Sequence, residues 1–268
     1  MNQTENMQAV DGGRLSVIPN LFTLLNLFFG CMAIVAVLQT GLTTTIDETG
    51  LQLVILPENI YWASVFIGIA AVIDFLDGFV ARLLKASSGL GAQLDSLADV
   101  VSFGVAPGMI IYQFLRWSFA QHDDGLDVSM LMLLPAFIVP CAGAYRLARF
   151  NIDTEQSYGF KGVPIPAAGL LIASFPLIYW YSNNETAIKL LSNEWFWYGV
   201  ILVISYLMVS TLPMLALKFK NASVKTLMPF IILAGIAIIT GILLGWLAVP
   251  ITFAAYVIIS LIYKQKKS

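Results

Sequence analysis

The chain has 268 residues, 59% of them hydrophobic and 11% charged, where a soluble domain carries about 25% charged residues. A mean hydropathy of +0.83 with a formal net charge of −2 excludes a single soluble core, and no nucleic-acid partner is expected. The apolar residues fall in blocks of roughly 18 to 22, each long enough as a helix to cross about 30 Å of hydrocarbon. The fold class is all-α: a polytopic integral membrane protein.

Residues 1–17 are polar and lack the charged-then-apolar layout of a cleaved signal peptide, so a cytoplasmic or interfacial N-terminal segment is expected. Eight spans are predicted, near 18–39, 60–83, 93–119, 129–149, 165–182, 195–217, 226–245 and 247–263. In the first, Asn20, Thr23 and Asn26 recur every three residues. The second and third flank the stretch "DFLDGFVARLLKASSGLGAQLDSLAD", which carries four aspartates. The fourth ends in "YRLARFN", and Pro164 and Pro166 mark the entry to the fifth. Cys31 and Cys141 fall within spans and read as small buried residues, with neither disulfide nor metal spacing. Trp180, Trp195, Trp197 and Trp246 fit interfacial belts. With the N-terminus inside, all of the 14 basic residues except Arg116 and Lys189 lie on the cytoplasmic side, which predicts both termini in the cytoplasm.

At about 100° per residue, Asp74, Gly78, Ala81 and Lys85 share one side of the second helix, with Asp77 and Arg82 on its flanks. Gly91, Asp95, Asp99 and Ser102 share a face of the third. Four carboxylates converging from neighbouring helices repel one another unless cations neutralise them. Oxygen ligands of this kind suit hard divalent ions, Mg²⁺ above all, with Mn²⁺ or Ca²⁺ as alternatives. Small residues on the same faces leave room for a ligand against the backbone. The bland alternative pairs the acids with Arg82 and Lys85 or leaves them in the headgroup layer, but ionisable groups inside spans point to function first.

The spacing Asp74-x2-Asp77-Gly78-x2-Ala81-Arg82-x8-Gly91-x3-Asp95-x3-Asp99 resembles the signature of the CDP-alcohol phosphatidyltransferase family. The segments "IPNLFTLLNLFFGCMAI", "DSLADVVSFGVAPG", "YRLARFN" and "FKGVPIPAA" are similar to its phosphatidylserine synthase branch in bacteria and archaea. The resemblance implies transfer of the phosphatidyl group of CDP-diacylglycerol to L-serine with release of CMP. It also implies a divalent metal (Mg²⁺ or Mn²⁺), a homodimer among membrane lipids, and a site facing the cytoplasm of a bacterial or archaeal cell. Asp74, Asp77 and Asp95 would be metal ligands, and Asp99 the base and a further ligand. Gly78 and Ala81 would lie at the cytidine end of the CDP-diacylglycerol site, with Arg82 and Gly91 beside them. Residues 18–217 would form the catalytic membrane core, and 218–268 two additional helices with a basic tail.

The chemistry bears on the remaining candidates. A serine hydroxyl needs a general base; His122 falls in a predicted outer loop, and Asp99 sits at the open end of its face. Ser96 and Ser102 have no histidine partner for covalent catalysis, so direct displacement is expected. Arg146, Arg149 and Lys161 could hold serine or diphosphate, with Asn151 orienting either, or could simply mark the cytoplasmic side. Thr23 and Asn26 could bind CDP-diacylglycerol or hydrogen-bond between helices. Two rival functions remain open: another acceptor in the same family, glycerol 3-phosphate or inositol phosphate, and a divalent-cation transporter.

Overall fold

The computed structural model describes residues 17–46, 52–84, 89–122, 127–152, 160–215 and 224–263. Helix α1 (Val17–Gln39) buries a stripe of Pro19, Thr23, Asn26, Gly30, Ala33 and Val37, spaced three or four apart so that they share one face. That stripe packs against α2 (Tyr61–Leu84) and α3 (Gly89–Phe119). Gly30 permits the approach to α3: a Cβ there would stand 2.8 Å from the Ser102 Cα. At the other end of α1, buried Gln113 of α3 donates to the carbonyls of Val37 (3.0 Å) and Thr40 (2.8 Å), so polar side chains fix the pair at both ends.

Helix α3 is not uniform. It runs as α-helix over Gly89–Asp99, widens to a π-helical turn over Val100–Val105, and resumes as α-helix over Ala106–Phe119. Pro107 lacks an N–H and its ring would collide with the carbonyl four residues back, a conflict that the wider turn relieves. Helix α4 (Met130–Ile152) tightens to a 3₁₀ turn over Leu134–Phe137, around Pro135. Helix α5 (Ile165–Tyr181) begins directly after Pro164 and is buried over most of its length. A short α6 (Glu185–Leu191) and α7 (Glu194–Val209) meet at 77°. The Asn184 and Asn193 side chains cap these two helices, accepting from Ala187 N (3.0 Å) and Trp195 N (2.8 Å). Helices α8 (Val224–Leu244) and α9 (Ala248–Ile262) follow, packed on one another across a turn at Gly245, where φ is +58°.

Each of the eight predicted spans falls on a helix, α1 to α5 and α7 to α9, but not each of these helices is long and apolar enough to be a crossing. Among the described residues, five helical segments are long and apolar enough to cross a membrane, and the bent α6–α7 pair makes a sixth. One of the five is Leu227–Ile262, whose 36 residues would reach about 54 Å as a straight rod and are instead broken at Gly245. The least apolar of the five, α3, is also the most buried, whereas Leu227–Ile262 is the most apolar and the least buried. The polar N-terminal segment before residue 17, Lys85, Lys218, Lys220 and the "KQKKS" tail lie outside the described residues.

Two short antiparallel ribbons break the helical pattern. Strands β1 (Thr43–Ile46) and β2 (Gln52–Ile55) pair at the end of the bundle where α1 stops. Strands β3 (Phe160–Lys161) and β4 (Pro213–Met214) pair at the opposite end. The sixth predicted span, 195–217, therefore ends early: the chain turns extended at Ser210 and enters β4.

Two sequence expectations are corrected. Trp197 is not in an interfacial belt but fully buried, stacked on Phe114 at 4.7 Å, with its indole N–H donating to the Leu191 carbonyl at 2.8 Å. Cys31 and Cys141 are exposed on outer helix surfaces rather than buried. In a bilayer the outer face of a span is as apolar as its core, so span membership alone does not distinguish the two sides.

Candidate active site

Asp74 and Asp77 stand on the last turns of α2, and Asp95 and Asp99 on the first turns of α3, separated by only a short connection. Ligand oxygens of Asp74, Asp95 and Asp99 lie within 4.8 Å of one another. Asp77 is placed differently: it is buried, and its carboxylate accepts a short hydrogen bond from the Thr23 hydroxyl of α1. No ion pair within 4.0 Å joins Arg82 to any of the four aspartates, so the arginine does not account for their presence.

Asp99 is held from behind. Asn26, fully buried in α1, donates from Nδ2 to Asp99 Oδ1 at 3.3 Å. The Ser102 hydroxyl, on the π-helical turn, donates to the Asn26 backbone carbonyl at 3.0 Å. The close approach at Gly30 and this pair of hydrogen bonds fix α1 against α3 at the level of the carboxylates.

The carboxylates face a cavity of about 540 Å³. The candidates Thr23, Gly78, Ala81, Arg82, Gly91, Arg146 and Asn151 line it together with all four aspartates. Every lining element contributes from the same end of the bundle: the start of α1, the end of α2, the start of α3, the end of α4 and the start of α5. Arg146 is buried, and its Nε has no hydrogen-bond partner among the described residues. Asn151 donates to Ser96 Oγ at 2.9 Å, bridging α4 to the aspartate helix.

Three candidates are placed elsewhere. Asn26 does not line the cavity and instead supports Asp99. Arg149 and Lys161 line a small adjoining recess with Arg146, Tyr145 and Met208, and Arg149 donates to the Val209 carbonyl at 3.1 Å. His122 lies at the far end of α3, 3.4 Å from Glu194, remote from the carboxylates by about 30 Å of helix. Asn20, which shares the three-residue repeat of Thr23 and Asn26, also lines the cavity, as do Pro164 and Pro166, which the sequence marked only as the entry to the fifth span.

Three convergent carboxylate oxygens, with neither sulfur nor imidazole nearby, are a hard donor set that fits a divalent cation of the magnesium type and disfavours soft metals. The cations Arg82 and Arg146 face the same space, so the cavity can hold an anion and the metal that compensates it. An acid-floored cavity that also presents two arginines, at one end of a bundle of apolar helices, fits a membrane protein that binds a divalent cation together with an anionic group. The chain belongs to the CDP-alcohol phosphatidyltransferase family, which it matches over residues 16–192. It is 36% identical over 200 residues to a CDP-diacylglycerol–serine O-phosphatidyltransferase of Helicobacter pylori strain J99, covering 74% of this chain and 71% of that protein. The enzyme of the same name from Bacillus subtilis strain 168 is 32% identical over 165 residues, covering 62% of this chain and 78% of the relative. An archaetidylserine synthase of Methanothermobacter thermautotrophicus is 33% identical over 152 residues, 56% of each chain.

Proposed function

We propose that the chain is a CDP-diacylglycerol–serine O-phosphatidyltransferase, which moves the phosphatidyl group to the hydroxyl of L-serine and releases CMP. The observation that carries this reading is the convergence of Asp74, Asp95 and Asp99 on a cavity that also holds Arg82 and Arg146, in a chain similar to serine transferases. Asp74, Asp95 and Asp99, with Asp77 beside them, would hold Mg²⁺ or Mn²⁺, which when bound supplies Lewis-acid polarisation of the diphosphate. The remaining steps belong to the chain's own side chains.

Asp99 takes the proton of the serine hydroxyl as the new P–O bond forms and the bond to CMP breaks. Asn26, by donating to Oδ1, holds the Asp99 carboxylate in orientation for that transfer. The missing side chain of Gly78 and the short one of Ala81 leave space for the cytidine end of the donor, and Gly91 does the same on the facing helix. Arg146, buried between the cavity and the recess, meets an anionic group of substrate with its unpartnered Nε, and Arg149 and Lys161 add charge for the serine carboxylate. Thr23 keeps Asp77 oriented toward the other acids. The basic residues favour a cytoplasmic site with eight crossings and both termini inside, and the family resemblance favours a homodimer.

The test is CMP release by purified protein with CDP-diacylglycerol and Mg²⁺, offered serine, glycerol 3-phosphate, inositol 1-phosphate or no acceptor. Serine-dependent release with phosphatidylserine as the lipid product is expected. Release with only another acceptor would refute the serine assignment while keeping the aspartate chemistry.

A further inference from the structure

We propose that Ser260 of α9, in a helix beyond the segment that matches the family, is a positioning residue for the acceptor side of the reaction. The proposal rests on the serine-transfer reading above. Ser260 is buried, with 1% of its surface exposed. Its hydroxyl donates to the Tyr256 carbonyl at 2.6 Å and accepts from the Leu215 backbone N–H at 3.2 Å. The Tyr256 hydroxyl donates to the Leu215 carbonyl at 3.4 Å. Both backbone polar groups of buried Leu215 therefore end on α9, where otherwise they would have to find partners in an apolar setting.

Leu215 directly follows β4, whose Pro213 stands opposite Lys161 of β3. Two further bonds extend this strap: Gly162 N–H donates to the Leu212 carbonyl at 2.9 Å, and Val163 N–H to the Leu207 carbonyl at 3.0 Å. Gly162 has φ of +75°, and a Cβ there would stand 2.9 Å from the Ser210 carbonyl oxygen, so the strap has little slack. A ribbon of two residues per strand cannot hold its register alone, so the anchor at Leu215 joins these bonds in fixing where it lies. The strap carries Lys161, one of the three cations of the recess, and it leaves α7 directly after Val209, whose carbonyl accepts from a second, Arg149. Among the described residues, the aspartates on α2 and α3 make no hydrogen bond to the strap. Loosening Leu215 should therefore shift Lys161 on the acceptor side and leave the carboxylates in place.

The experiment compares Ser260→Ala, Ser260→Thr and Tyr256→Phe with wild type in the full chain, measuring kcat and the KM for serine and for CDP-diacylglycerol separately. Losing one hydrogen bond to the anchor is expected to raise the serine KM about five- to tenfold in Ser260→Ala. The kcat and the CDP-diacylglycerol KM should stay within about twofold, and Ser260→Thr, which keeps the hydroxyl, should return the serine KM close to wild type. Should Ser260→Ala not fold, Tyr256→Phe keeps the ring, removes the bond to the Leu215 carbonyl together with the hydroxyl's interaction with Arg146, and is likewise expected to raise the serine KM. An unchanged serine KM, a parallel loss in kcat and both KM values, or a serine KM raised equally in Ser260→Thr would overturn the positioning role. A wild type that shows no serine-dependent CMP release would overturn instead the reading on which it rests.

Discussion

Gly30→Ala is the smallest change that should disturb the whole site. The added methyl would stand 2.8 Å from Ser102 Cα and 2.9 Å from Ser102 Cβ, against the 3.5–4.0 Å at which carbon atoms attract, an overlap of about 1 Å. A helical backbone on each side leaves no flexible chain end to yield, so α1 and α3 must part. Overpacking of this kind costs about 1–3 kcal/mol. Parting the helices also breaks the 3.0 Å bond from Ser102 to the Asn26 carbonyl, which adds about 1 kcal/mol. The sum, about 2–4 kcal/mol, corresponds to a fall of about 5–15 °C in the unfolding midpoint for a chain of this size. Thermal unfolding in detergent micelles measures it. Turnover should drop at least about tenfold, because Asn26 no longer holds Asp99 in place. Gly68→Ala on α2 is the control: a Cβ there meets nothing within 4 Å, so its midpoint should change by less than about 0.5 kcal/mol equivalent. A Gly30→Ala protein with wild-type midpoint and turnover would refute the close-approach reasoning.

Asp74→Asn and Asp99→Asn keep side-chain volume and remove charge from the convergent set; each should lower turnover by about 10²–10⁴ in the CMP-release assay. Near-normal activity in either would count against the assigned roles. Chelation of divalent cations should abolish turnover, and Mg²⁺ or Mn²⁺ should restore it. Metal at a hundredfold excess over its Kd should also raise the stability of the protein by about 2.7 kcal/mol, read as a higher unfolding midpoint without any substrate present.

The aspartate face was legible because helical spacing converts i, i+3 and i, i+4 positions directly into a shared direction, and a short connection between α2 and α3 leaves two such faces little choice but to meet. The partners of those acids were less so. Thr23 and Asn26 were visible as polar residues in an apolar span, but which acid each would meet depends on the depth at which α1 crosses α3, set by Gly30 and Ser102, seventy-two residues apart in sequence. The β3–β4 strap was missed because strands of two residues carry no period to read. Trp197 went to the wrong side because its neighbours Trp195 and Phe196 are aromatic too, so the segment has no contrast between faces.

The inverse relation between apolarity and burial has a consequence for biogenesis. Alone in lipid, α3 would present Asp95, Asp99, Gln113 and Arg116 to hydrocarbon, at a few kcal/mol for each charge near mid-membrane. It can settle stably only beside a helix that offers matching polar groups, and α1, made earlier on the ribosome, offers Thr23, Asn26 and the carbonyls of Val37 and Thr40 at its C-terminal end. Helices α8 and α9 need no such host and arrive last, when the strap they clasp has already emerged. A circular permutant that moved α1 to the C-terminus would leave α3 in the membrane without its partner during synthesis, so it should accumulate to a lower level than the natural order, read as the yield of folded protein in the membrane.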